Sequence, residues 1–302
     1  MKRDLLTILD LNREEIEGLL ARARVLKSWH RQGRSHTPLA GKTLAMIFDK
    51  PSTRTRVSFE VGMAQLGGTS IYLAPGQTQL ARNEPVADTA QVLSRYVNGV
   101  VIRTFAQETV EELAAHASIP VINGLTDSHH PCQVLSDLLT IRERFQDLAH
   151  LKVAWVGDGN NMANSWITAA LHLDFTLYLA CPQGYEPDTD LVQQAQKTGK
   201  RVYLTQDPQA AVADVQVINT DVWASMGQED EAATRREVFK PYQVNAALLQ
   251  LARPEAMVLH CLPAHRGEEI AAEVIDGPQS MVWDQAENRL HFQKALLEWL
   301  LG

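Results

Sequence analysis

Residues 42–60, KTLAMIFDKPSTRTRVSFE, decide how the chain is read. The apolar run from Thr43 to Phe48 predicts a strand, and Pro51, Ser52 and Thr53 stand where a helix would begin. The first turn of that helix carries Arg54 and Arg56, although a helix N-terminus disfavours cations by roughly 0.3–1 kcal/mol each. A bound dianion reverses the sign of that argument. Backbone N–H groups, the hydroxyls of Ser52, Thr53 and Thr55 and a guanidinium are together a phosphate-binding set. The bland alternative is a capped helix whose arginines merely reach solvent.

Outward from this stretch the pattern is an alternation of short β-rich runs and helical ones. Toward the N-terminus, Asn12 and Glu15 have capping-box spacing ahead of a helical pattern that runs through Val25. Toward the C-terminus TSIYLA, VVIRT and VINGL read as strands separated by helices around DTAQVLSRYV and VEELAAHA. The segment SHHPCQ opens a long helix, VLSDLLTIRERF. A second series follows, in which LKVAWVG, FTLYLAC, VYLTQ, VQVINTDV, MVLHCLP and MVWDQ are the predicted strands.

Two such series in 302 residues predict an α/β protein of two doubly wound parallel-sheet domains. The expected division is residues 1–131, completed by a C-terminal helix over 286–302 that packs back on the first domain, and residues 132–285.

Composition narrows the function. The chain is 45% hydrophobic and 21% charged, with 28 basic against 36 acidic residues and a formal charge of −8. A net negative chain without a basic stripe predicts no nucleic-acid partner. No run of about 18 apolar residues predicts a membrane span, and the N-terminus fits neither a signal peptide nor a transit peptide, so a cytoplasmic location is expected. Cys132, Cys181 and Cys261 have no paired spacing and read as reduced thiols, not as a disulfide or zinc framework.

In open parallel sheets, ligands gather at the carboxyl ends of strands. Arg103 ends VVIR, His130 precedes Pro131 at a helix start with Gln133 one turn in, and His130 with Arg103 would polarise a carbonyl oxygen. GDGNN follows VAWV but fails the dinucleotide fingerprint. Gly157 and Gly159 fit, yet the third glycine position is Met162 and no acidic residue ends the next strand. Its asparagines are read as ligands for a small polar substrate. Asp221 ends a strand where it would hold an ammonium group, and the long polar stretch after it reads as a lid. Cys261 would accept a proton if it faces Asp221 and His265.

STRTR, HPCQ, DGNN, DVWASMG, HCLP and ENR together resemble the transcarbamoylase family over nearly the whole chain, and the SMG triplet and HCLP segment resemble its ornithine-using branch. The resemblance implies transfer of a carbamoyl group from carbamoyl phosphate to the δ-amine of L-ornithine, with no cofactor and no metal. It implies carbamoyl phosphate bound by Ser52, Thr53, Arg54 and Thr55, by Gln79 of the following loop, by Arg103, His130 and Gln133, by Cys261 and Leu262, and by Arg289. Arg54, Arg103, His130 and Cys261 are the implied catalytic set. Ornithine would be held by Asn161, Asp221, Ser225 and Met226, in a domain cleft that closes on both substrates. It also implies homotrimers, or assemblies of trimers, with sites shared across subunits; near Arg82 and Asn83 the chain departs from the family's usual loop. A carbamoyltransferase for another amine, and an anion-binding module without turnover, are the competing readings.

Overall fold

The computed structural model describes residues 2–74, 76, 84–225 and 227–302, and of residue 229 the backbone alone. The chain divides into two compact units, Met1–Leu139 with Glu287–Gly302, and Thr140–Ala286.

The first unit opens with α1 (Arg13–Arg31) and continues through β1 (Thr43–Phe48), α2 (Thr53–Gln65), β2 (Thr69–Leu73), α3 (Val86–Tyr96), β3 (Gly99–Arg103), α4 (Gln107–His116) and β4 (Val121–Leu125) to α5 (Pro131–Phe145). Asn12 caps α1, and Glu15 returns the bond to the Asn12 backbone N–H, as the spacing predicts. The four strands are parallel in the order β2-β1-β3-β4. Parallel strands covered by helices need apolar residues on both faces, which is why β1 and β3 carry almost no polar side chains. Ala45, Ile47, Val100 and Ile102 share a core with Ala90 of α3 and Val110 and Leu113 of α4.

The second unit runs through β5 (Lys152–Val156), α6 (Asn161–His172), β6 (Thr176–Ala180), α7 (Thr189–Lys197), β7 (Val202–Thr205), α8 (Pro208–Val212), β8 (Val217–Thr220), α9 (Ala232–Phe239), α10 (Ala246–Leu249), β9 (Met257–His260) and α11 (Ala272–Ile275) to the first turn of α12 (Val282–Leu301), which from Glu287 onward belongs to the first unit. Its five strands are also parallel, in the order β7-β6-β5-β8-β9. Ala154, Val156, Ile218 and Val258 pack with Ala211 and Val212 of α8, Leu248 of α10 and Val274 and Ile275 of α11.

One predicted strand is not one. MVWDQ forms only an isolated bridge, Ser280 to Val258, and Val282 begins the long closing helix. Its Met, Val and Trp suggest a strand, but buried Val282 and Gln285 lie three apart, the spacing of one helix face, and Asp284 suits the first turn. The helix therefore starts four residues earlier than expected. The long polar stretch after Asp221 contains a helix, α9.

Both sheets have the same topological feature. From β1 the chain passes to β2 on one side and returns to β3 on the other; from β5 it passes to β6 and returns to β8. The carboxyl ends of β1 and β3, and those of β5 and β8, are therefore switch points, where open α/β sheets leave a crevice for a ligand.

Candidate active site

At the first switch point, Phe48 of β1 is in register with Arg103 of β3, and the Asp49 N–H donates to the Arg103 carbonyl at 2.8 Å. Ser52 caps α2 by accepting from the Thr55 N–H at 3.3 Å, while its own hydroxyl donates to Thr55 Oγ1 at 3.0 Å. Arg289 Nη2 donates to the same Thr55 oxygen at 2.6 Å, and Nη1 to Gln133 Oε1. Gln133 Nε2 donates in turn to Asp137 at 2.8 Å. Thr55, Arg103, His130, Gln133 and Arg289 are all buried, whereas Arg54 is half-buried and Thr53 exposed. Pro131 is the first residue of α5, so His130 precedes it where a cap belongs.

The electrostatics of this cluster are cationic. The His130 imidazole is held well below its ordinary pKa, first by burial and then by the guanidiniums of Arg289, Arg103 and Arg54. Three arginines therefore face one neutral histidine. Such a ring donates or accepts a hydrogen bond at neutral pH without adding a fourth charge.

Arg56 plays a different part from Arg54. Its guanidinium donates to Glu60 one turn along at 2.9 Å and lies 3.8 Å from the centre of the Tyr72 ring. A carboxylate of its own helix, rather than a ligand, offsets this second cation.

The second switch point is built from acceptors and neutral amides. Asn160 caps α6 and sends Nδ2 to Asp221 Oδ2 at 3.2 Å, and Asn161 is the first residue of the helix. Asp221 is buried and accepts also from the Val222 N–H at 2.8 Å and from Cys261 Sγ at 2.9 Å. A carboxylate has about four acceptor positions, so three donors leave one for an incoming ammonium group. The tight turn is possible because Gly159 has no side chain, for a Cβ there would stand 2.1 Å from the Pro187 nitrogen.

The histidine near Cys261 is His260, not His265. His260 is fully buried, accepts the Leu262 N–H on Nδ1 at 2.9 Å and pairs through Nε2 with Glu269 at 3.0 Å. His265 lies instead within 4.0 Å of the Glu268 and Glu269 carboxylates. Leu262 has a φ of 59°, a left-handed conformation that a branched side chain adopts only under restraint. Ligand atoms of Asp221, His260 and Cys261 lie within 4.8 Å of one another, a set that could hold a metal ion. Both His260 nitrogens, however, are already engaged.

Ser225 exchanges hydrogen bonds with Gln228, its N–H donating to Oε1 at 3.0 Å. Gln79, Met226 and the Arg82–Asn83 pair lie outside the described residues. Sequence reasoning missed the ion pair of Asp158 with Arg235 at 3.1 Å, because the two residues lie far apart in the chain and the DGNN motif that contains Asp158 does not point to an arginine partner. Among the described residues no helix is long and apolar enough to cross a membrane.

Residues 3–143 match the carbamoyl-phosphate-binding domain model of the aspartate/ornithine carbamoyltransferases, and residues 149–300 match the family's aspartate/ornithine-binding domain model. The chain is 59% identical to an ornithine carbamoyltransferase of Syntrophus aciditrophicus over the full length of both. It is 54% identical to an anabolic ornithine carbamoyltransferase of Pseudomonas aeruginosa, covering 99% of this chain and 97% of that one. The solved structure of ornithine carbamoyltransferase from Pyrococcus furiosus superposes with a TM-score of 0.95 at 53% identity, over 99% of this chain and 97% of the other. With both domain models matched in order and the two switch points occupied as described, the chain belongs to the aspartate/ornithine carbamoyltransferase family.

Proposed function

We propose that the protein is a transferase that moves the carbamoyl group of carbamoyl phosphate to the δ-amine of L-ornithine, giving L-citrulline and phosphate. The observation that carries the reading is the convergence of Arg54, Arg103 and Arg289 on a neutral, buried His130 at the carboxyl end of a parallel sheet. That cluster suits a phosphate dianion with a polarisable carbonyl attached to it. The relatives at 54–59% identity carry the ornithine name, which selects the amine over aspartate.

In this reading Ser52, Thr53, Arg54 and Thr55 hold the phosphate, Arg289 orients Thr55 and Gln133, and Arg103 with His130 faces the carbamoyl oxygen. Ornithine is held by Asn161, Asp221 and Ser225, and Met226 is assigned to the same role by its place in the sequence motif alone. Asn160 adds its amide by orienting Asp221.

The δ-ammonium, with a reference pKa of about 10.4, is not a nucleophile until it loses its proton. Asp221, with Cys261 donating to it, is the pair assigned to that proton. The amine lone pair then forms the C–N bond, the C–O bond to phosphate breaks, and the second proton leaving nitrogen goes to the departing phosphate. Charge on the tetrahedral oxygen is met by Arg103 and His130, groups fixed before reaction begins.

A role in arginine formation, a cytoplasmic location and a homotrimer or assembly of trimers complete the proposal. The direction is supported by the relative named anabolic. Assay of citrulline from carbamoyl phosphate and ornithine tests the reaction, with aspartate and putrescine as competing amines. Arg54→Ala is expected to lower kcat by about 10²–10³, the usual cost of one oxyanion or phosphate donor. Citrulline formation unchanged in that variant would remove Arg54 from the chemistry, and carbamoylation of another amine in preference would replace ornithine. Solution mass tests the assembly.

A further inference from the structure

Arg235 is a cation for which the reaction has no direct use. It sits on α9, its side chain is 7% exposed, and it faces Asp158, itself 9% exposed. Nη1 donates to Asp158 Oδ2 at 3.1 Å and to the Trp223 carbonyl at 2.9 Å, and Nε to Glu231 at 3.1 Å. Its guanidinium carbon lies 4.8 Å from the centre of the Tyr185 ring, within cation–π range. Asp158 belongs to the loop after β5, Tyr185 to the loop after β6, and Trp223 to the loop after β8. One side chain thus touches the end loops of three strands that are neighbours in the sheet, β6, β5 and β8.

Those loops carry the amino-acid side of the proposed site. Asp158 is two residues from Asn160, which donates to Asp221, and Trp223 is two residues from both Asp221 and Ser225. The Asp158 loop is itself fixed, since the Trp155 indole donates to the Asp158 carbonyl at 2.9 Å and the Gly159 N–H to the Tyr185 carbonyl at 2.8 Å. Trp223 stacks on Phe239, which lies edge-on to Tyr185. The α9 anchor therefore holds the backbone of residues 221–225 against a rigid frame.

Stability alone does not explain the pair. Taking an arginine and a carboxylate out of water costs free energy that their attraction often only offsets, and an apolar pair of similar volume serves a fold as well. What the ion pair adds is direction: a planar guanidinium has donors in fixed geometry, so it sets the Trp223 carbonyl and the Asp158 carboxylate relative to each other.

We infer that Arg235 is a positioning residue for amino-acid binding, clamping the Asp158, Tyr185 and Trp223 loops so that Asp221 and Ser225 meet the substrate in the correct geometry. The inference rests on the ornithine reading above.

The test uses norvaline, the carbon skeleton of ornithine without its δ-amine, titrated calorimetrically in saturating carbamoyl phosphate, alongside steady-state kinetics and thermal melting. Arg235→Met is expected to weaken norvaline and raise the ornithine KM at least tenfold, leave the KM for carbamoyl phosphate within twofold, and keep a cooperative melt. Arg235→Lys, which keeps the charge but not the fork, is expected to recover part of the norvaline affinity. Asp158→Asn, which keeps a polar partner of the same shape, is expected to fall between wild type and Arg235→Met, and it supplies the measurement if the methionine variant does not fold. Norvaline affinity within twofold of wild type in the folded variants, or an equal rise in both KM values, overturns the inference. A wild-type protein that binds no norvaline and makes no citrulline overturns the functional reading instead, so the two failures are distinct.

Discussion

The two units build the same device and charge it oppositely. Each sheet reverses direction at its first strand, and each places its polar side chains at the carboxyl ends flanking that reversal. At β1 and β3 these are arginines around a neutral histidine, with Ser52 and Thr55 at a helix start. At β5 and β8 they are Asn160, Asp158 and Asp221, with Cys261 from the next strand. One topology thus serves an anion in one unit and a cationic amine in the other. The lesson is that the sheet fixes where a ligand goes, whereas a few strand-end residues fix what it is.

Breaking the acidic end is expected to have the largest effect. Asp221→Asn removes the carboxylate that accepts from Cys261, Asn160 and the Val222 N–H, and kcat should fall by about 10²–10⁴, the range for a lost acid–base group. Steady-state assay with both substrates saturating checks it; a loss confined to the ornithine KM would make Asp221 a binding group alone. Next comes the cationic end. Thr55→Val takes away the oxygen to which Arg289 and Ser52 donate, and should destabilise the protein by about 1–3 kcal/mol while raising the carbamoyl phosphate KM. Denaturant unfolding with and without carbamoyl phosphate measures both parts.

The comparison is sharpened by pH. Burial raises the Asp158 carboxyl to about 6 in spite of the opposing pull of Arg235, with Asp221 and Glu231 adding to the rise. Cys181, pushed up by burial and by the charge of Asp158, stays a thiol throughout this range. Because the folded pKa lies above the ordinary aspartate value of 3.8, the folded state holds this proton longer than the unfolded chain does. The contribution of Asp158 to stability is therefore greatest at low pH and declines as pH rises from about 4 to 6. The ion pair with Arg235 follows the opposite course, being complete only above that window. Norvaline affinity is expected to drop several-fold, up to about tenfold, between pH 7 and pH 5, and Asp158→Asn to flatten the profile. A wild-type profile flat across that range would separate Asp158 from amino-acid binding.

The smallest effect belongs to the cation that has its own partner. Glu60→Ala leaves Arg56 without its i+4 carboxylate and should cost no more than about 0.5 kcal/mol, with carbamoyl phosphate affinity unchanged. A large change in that affinity would mean that Arg56 helps to bind the anion after all.

These contrasts also mark what was legible in the sequence. The parallel sheets were readable because their strands are continuous apolar runs bounded by turn residues, and the phosphate-type cluster because Ser52, Arg54 and Thr55 are adjacent in the chain. MVWDQ misled because local propensity favoured a strand while the spacing of Val282 and Gln285 made one helix face. Arg56 looked like a companion of Arg54 because a sequence does not display which side of a helix meets Tyr72 and Glu60. Cys261 was expected to face Asp221 and His265, but the imidazole that meets Asp221 and Cys261 is that of His260, the residue just before the cysteine. Asn160 was not singled out, because only the fold shows that its amide reaches Asp221. Arg235 was unreadable for a simpler reason: its partners come from three separate loops.

The proposed function stands or falls with the α2 entrance as the phosphate site and with Arg54 placed there for that charge. A crystal structure of the protein with an unreactive phosphonate analogue of carbamoyl phosphate tests this most directly. The phosphonate is expected within hydrogen-bonding distance of the Ser52–Thr55 segment and the Arg54 guanidinium, with its carbamoyl oxygen toward Arg103 and His130. A phosphonate seated away from α2, with Arg54 untouched, would contradict the account.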